Sequence, residues 1–159
     1  MRLKTWRYIA LMLASLTMAM SFAHAMEMPA RMSWDASLWV GATVDGALYM
    51  MFGTLGGAIV VLNLLALGVV AFMMRRHADP ARRLSFIAAL LYLLSFLLFW
   101  VVIFPVNSEM AGWAGGNVPE DWSGWRLRWE TGHLVNAVLQ LTGFAALCWS
   151  VLEETPPRE

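Results

Sequence analysis

Charge is what this sequence has least of. Asp, Glu, Lys and Arg make up 14 % of its 159 residues, against a hydrophobic share of 60 %. Globular chains carry about 25 % charged and about 45–50 % apolar residues. One soluble domain of this length has too little interior to hide so much apolar surface. Intrinsic disorder, which requires low hydrophobicity, is excluded with it. Neither sign of charge is in excess: 11 basic and 11 acidic residues cancel. No positive field therefore favours a phosphate backbone, and no nucleic-acid partner is expected. A single cysteine, Cys148, excludes an internal disulfide framework and any CxxC redox or zinc motif. No internal repeat is evident.

The scarcity of charge is organised along the chain. Four stretches hold no Asp, Glu, Lys or Arg, namely 8–26, 46–74, 84–108 and 131–152, of 19, 29, 25 and 22 residues. A membrane-spanning helix needs about 17–25 mainly apolar residues. The pattern predicts an all-α integral membrane four-helix bundle with membrane lipid as its surroundings. It is expected to form one domain over 1–159, with spans at about 6–28, 47–74, 84–105 and 125–152 and a mobile tail over 153–159.

Basic residues orient the bundle. Arg2, Lys4 and Arg7 precede the first span, and Arg75, Arg76, Arg82 and Arg83 fill the loop between the second and third. With Arg158 in the tail, Arg31, Arg126 and Arg128 remain for the opposite side. Positive loops stay in the cytoplasm. Both termini are therefore expected there, two loops outside, and the chain in the inner (cytoplasmic) membrane of the cell. The N-terminus admits a second reading. Three basic residues, an apolar run and Ala23-His24-Ala25 also compose a secretory signal with an A-x-A cleavage site, whose removal leaves three spans. The run is long for a signal and continues to Met26 and Met28, which favours a retained span.

Local signals refine the spans. Pro29 disfavours helix at Met28 and marks the end of the first. Gly53, Gly56 and Gly57 suit close approach of a neighbour to span two, and Asn63 reads as an interhelical hydrogen bond. MRRHADPARR at 74–83 is a basic turn at the lipid headgroups. Residues 106–124, with Gly115, Gly116 and Pro119, read as a loop. Of nine tryptophans, Trp34, Trp39, Trp100, Trp113, Trp122, Trp125 and Trp129 fall at one end and Trp6 and Trp149 at the other. Interface belts account for most of them, with an aromatic pocket as the competing reading.

Ionisable residues within spans are costly and mark function. His24 and Glu27 close span one, and Glu130 and His133 open span four. Each pair is spaced i, i+3, which puts a carboxylate and an imidazole on one helix face. The order is reversed and so is the helix direction. If the two spans are neighbours, the glutamates share one depth and the histidines another, about 4–5 Å deeper. Asn107 of span three and Tyr49 of span two fall near that level, and Gln140 continues the polar face of span four.

His24, Glu27, Glu130 and His133 are thus candidate ligands of one transition-metal ion with an open position. A di-iron bundle requires further glutamates, and two histidines can alternatively hold a haem from both sides. A structural reading stands beside these. Glu130 favours the N-terminus of span four and pairs with Arg126 or Arg128.

Three segments carry a likeness: AHAMEMPARM at 23–32, FPVNSEMAGW at 104–113 and PEDWSGWRLRWETGH at 119–133. In these, and in order and spacing over nearly the whole chain, the sequence resembles the anthrone-oxygenase-like family of four-helix membrane proteins. The resemblance implies four membrane helices and an uncleaved first span. Its named activity is oxidation of a methylene of a polyketide anthrone with oxygen. The matched positions are Glu27, Asn107, Trp129, Glu130 and His133.

Three functions stand as expectations. The first is an oxygenase or oxidoreductase acting on a lipophilic aromatic or quinone-like small molecule, with His133 as base, Asn107 as donor to the developing oxyanion, and Glu130 beside them. That chemistry needs no metal. The second is a non-catalytic module binding metal, haem or lipid. The third is an accessory subunit of a membrane complex.

Overall fold

A computed structural model describes residues 2–43, 50–77, 79–113 and 116–153. Among these, every regular element is helical: α1 (Arg2–Arg31), the short α2 (Ala36–Thr43), α3 (Phe52–Met74), α4 (Pro80–Ala111) and α5 (Trp122–Leu152). All but α2 are long and apolar enough to cross a membrane, so the expected four-span helical architecture is present. The long helices pack as a ring, α1 on α3, α3 on α4, α4 on α5 and α5 back on α1. Tyr49, the expected start of span two and the tail beyond Glu153 lie outside the described residues.

The packing suits lipid rather than water. Large apolar side chains such as Leu62, Leu65, Phe72, Leu90, Val138 and Leu141 point outward. Much of the interior is small: Ala10, Ala14, Ala66, Ala81 and Ala88 interleave with Leu67, Val70, Met74, Tyr92 and Leu147. Lipid tails are as apolar as leucine, so helices associate through close contact of small residues. The tightest approaches are at glycines of α5. A Cβ on Gly143 would meet the Tyr92 ring at 3.0 Å, and one on Gly132 would meet Ile103 Cγ1 at 3.0 Å. Of the three glycines expected to serve this purpose in span two, Gly56 lies against Met20, while Gly53 and Gly57 face open space.

Two prolines modify helices without ending them where the sequence suggested. α1 continues through Pro29 to Arg31. The missing N–H costs the single bond that the Ala25 carbonyl would accept, and the helix keeps its course for two further residues. In α4, Pro105 withdraws the donor that the Val101 carbonyl would otherwise use. Residues Phe99–Ile103 widen there into a π-helical segment, and Arg128 Nη2 of α5 reaches the Val101 carbonyl at 3.2 Å. The freed backbone group is thus satisfied locally, as membrane helices with proline require. The helix then runs on to Ala111, so 106–111 is helix rather than the expected loop.

At the opposite end of the bundle the basic turn is tied down by Asp79. Its Oδ1 accepts from the Arg82 backbone N–H at 2.9 Å, and Pro80 occupies the first helical turn, where its missing N–H costs nothing.

The tryptophans correct the belt reading. Trp39, Trp113 and Trp129 are buried in a second core with Val40, Ile103, Val106 and Met110, and Trp34, Trp122 and Trp125 pack against it. Trp100 and Trp149 are the exposed ones. The indoles fill this end of the bundle, where Trp39 of α2 meets Trp122 and Trp129 of α5.

Candidate functional site

The last residue of α1 organises this end. Arg31 is 3 % exposed and Glu130, from the third turn of α5, is fully buried. Arg31 Nε donates to Glu130 Oε1 at 2.8 Å and Nη2 to Oε2 at 2.9 Å, a bidentate pair. Trp39 Nε1 of α2 adds a donor to Oε1 at 3.1 Å. Arg31 Nη1 holds Glu27, one turn back on α1 and exposed, while Nη2 also donates to the His24 carbonyl at 2.6 Å. One guanidinium therefore joins both carboxylates and ties α1 to α5.

The sequence reading had placed Arg31 in a loop and paired Glu130 with Arg126 or Arg128. Arg126 instead donates to the Trp34 carbonyl at 2.7 Å, and Arg128 to Val101. The signal missed was the i, i+4 spacing of Glu27 and Arg31, hidden by the assumption that helix stopped at Pro29.

The histidines meet as the reversed motifs require. The His24 and His133 rings lie 4.3 Å apart between centroids, tilted by 40°. Trp129 lies 4.2 Å from His133 and meets His24 edge-on at 5.5 Å. Phe52, in the π-helical turn that opens α3, lies 5.1 Å from His24. Sequence reasoning had not singled out Phe52. His24 Nδ1 is buried and meets no hydrogen-bonding group among the described residues.

Asn107 joins this group through Trp129, whose Nε1 donates to Asn107 Oδ1 at 2.7 Å. An indole N–H can only donate, so the amide oxygen must face it and the NH2 group is turned away, ready to donate elsewhere. Arg31 also lies 5.3 Å from the Trp129 ring centroid, a cation–π contact.

The expected four-ligand metal site is not assembled. Among the described residues no three His, Cys, Asp or Glu side chains are grouped to hold a metal. The physical reason is Arg31, which occupies the oxygens of Glu130 and turns Glu27 outward along α1. Nor do the two imidazoles fit a haem held from both sides. Centroids 4.3 Å apart leave no room for an iron and its two axial bonds between the rings.

Deeper in the bundle the polar face of α5 continues. Asn136 and Gln140 are buried and share Ser95 of α4: Ser95 Oγ donates to Asn136 Oδ1 at 2.6 Å and accepts from Gln140 Nε2 at 2.7 Å. Asn63 of α3 does not make the interhelical bond expected of it. It is wholly buried, and neither its Oδ1 nor its Nδ2 has a hydrogen-bond partner among the described residues.

Four apolar spanning helices with a cluster of imidazole, carboxylate and guanidinium groups at one end define a multi-pass α-helical membrane protein. A profile of the anthrone oxygenase family matches residues 47–146, close to two thirds of the chain. The chain belongs to that family. The match takes in Phe52, Asn107, Trp129, Glu130 and His133, whereas His24, Glu27 and Arg31 precede it. No curated protein and no solved structure matches the chain.

Proposed function

We propose that the histidine end of the bundle is the active site of an oxygenase acting on a lipophilic aromatic molecule with an acidic methylene group, drawn from the membrane. The observation that carries this reading is the pair of imidazoles 4.3 Å apart between Phe52 and Trp129. Aromatic rings receive a flat apolar substrate, and a neutral imidazole takes a proton from it.

His133 acts as the base that removes a methylene proton. The electron pair left on carbon is delocalised onto the neighbouring carbonyl oxygen, where the Asn107 NH2 donates to the developing charge. The carbanion is oxidised by O2, forming the carbon–oxygen bond of a hydroperoxide. Loss of the second methylene hydrogen with cleavage of the O–O bond leaves a ketone and releases water. The net change is one CH2 and one O2 to one C=O and one H2O. The orphan Nδ1 of His24 is the group on hand to bind a substrate hydroxyl. Arg31 and Glu130 hold the two helices that carry the histidines.

The site end faces outward from the cytoplasm in this reading, with both termini inside the cytoplasmic membrane's inner face. The support is the basic residues Arg2, Lys4, Arg75, Arg76, Arg82 and Arg83 at the other end.

The test uses the full chain in lipid nanodiscs with an anthrone and dissolved oxygen. Equal uptake of oxygen and formation of quinone are expected, with both lost in His133→Ala at unchanged helix content. Undiminished turnover in that variant overturns the assignment of His133. No turnover of any acidic methylene compound by the unaltered chain overturns the oxygenase reading.

A further inference from the structure

The interior below the histidines carries hydrogen-bonding capacity that no side chain or backbone group among the described residues uses. Asn63 is fully buried and Gln140 is 4 % exposed. Both amide atoms of Asn63 and the Oε1 of Gln140 lack a hydrogen-bond partner among the described residues. Buried amides left unpaired are strongly destabilising, and in the apolar part of a bundle no bulk water relieves them. Such groups are normally satisfied by ordered internal water.

The helical registers bring these amides to neighbouring depths. The His24 ring lies beside both Phe52 and His133, which levels α3 with α5. Asn63 is eleven residues inward of Phe52 and Gln140 seven inward of His133. Four residues of helix separate their depths by about 6 Å. Asn63 shares its helix face with Ala66, Leu67 and Val70, which all lie in the core, so its amide is directed inward. Gln140 lies inward too, since its Nε2 reaches Ser95 across the α4–α5 contact.

We propose that the space between Asn63 and Gln140 is an internal water-binding site. Ordered water there accepts from Asn63 Nδ2 and donates to Asn63 Oδ1 and Gln140 Oε1. Through Gln140, Ser95 and Asn136 the site extends the polar face of α5 that begins at His133. On the inner side it is closed by Leu67, Val70, Met74 and Leu147, so it is a pocket for water and not a channel through the bundle. This holds whether or not the histidine end is catalytic.

The experiment is radiolytic hydroxyl labelling of the unaltered full chain in detergent. Bound water generates radicals where it sits and oxidises adjacent side chains. Leu67, one helical turn from Asn63, is 1 % exposed, yet it should label clearly above the equally buried Val70 once each rate is divided by the intrinsic reactivity of its side chain. Normalised labelling at Leu67 no greater than at Val70 overturns the proposal. A second measurement separates hydrated from dry amides by the sign of a shift. With water bound, Asn63→Leu strands Gln140 Oε1 and lowers Tm, and Asn63→Leu with Gln140→Leu lowers it by less than the sum of the two. A higher Tm for Asn63→Leu alone is the mark of a dry, unsatisfied amide and overturns the proposal.

Discussion

Arg31 and Glu130, ninety-nine residues apart, form a buried bidentate ion pair with N–O distances of 2.8 and 2.9 Å. Charge is rare in this chain, and this pair buries it at one end of the bundle. Removing one partner strands the other, a loss of about 3–5 kcal/mol. Arg31→Met and Glu130→Leu should each lower thermal stability in detergent markedly. The double change Arg31→Met with Glu130→Leu should recover much of the loss, since it leaves no uncompensated charge. Additive losses in that cycle contradict direct coupling between the two side chains.

His133→Ala should reduce oxygenase turnover by about 10²–10⁴-fold, the range for loss of a positioned acid–base group. Helix content by circular dichroism should not change. Turnover within a few-fold of the unaltered chain means that the proton goes elsewhere.

Trp129→Phe separates two roles of one residue. The ring contact with His133 is largely kept, but the N–H that orients Asn107 is lost. The amide then turns freely, so kcat should fall by roughly tenfold while KM changes little, as expected when a group acts only in the transition state. Asn107→Ala should fall at least as far. An equal rise in KM in both variants points instead to a binding role.

The glycines make a packing prediction with opposite signs. Gly143→Ala and Gly132→Ala press a methyl group into Tyr92 and Ile103, which costs about 1–3 kcal/mol of overpacking. Gly53→Ala and Gly57→Ala meet nothing within 4 Å. They should be neutral, or stabilise the helix by about 0.5–1 kcal/mol. Melting curves of the four variants decide it, and equal destabilisation by all four contradicts the packing described here.

Much of the architecture was legible without coordinates because lipid imposes a simple rule on sequence. Charge-free stretches of spanning length must be helices, and His24-x-x-Glu27 and Glu130-x-x-His133 on antiparallel neighbours must place like residues at like depth. The histidines indeed meet. The carboxylates do not form a ligand set, because a third party takes them. Pro29 signals a loop at Arg31, but the signal costs one hydrogen bond and the buried contacts of Arg31 with α5 outweigh it. Span three likewise runs past its expected end at residue 105, since a π-helical segment and Arg128 absorb the backbone defect at Pro105. The burial of Trp39, Trp113 and Trp129 was hidden because a belt and a core at this end require the same residue type at the same depth.

The sequence by itself determined that this is a helical protein of four spans, with most of its basic residues at one end and its titratable pairs at the other. Those properties follow from transfer of charge and backbone out of water, which depends on composition and order alone. Only the tertiary structure decided what the pairs do. Whether a carboxylate is a ligand, a base or half of an ion pair depends on which cation lies within 3 Å. Distances on that scale are set by how α1, α2 and α5 pack and not by any spacing along the chain.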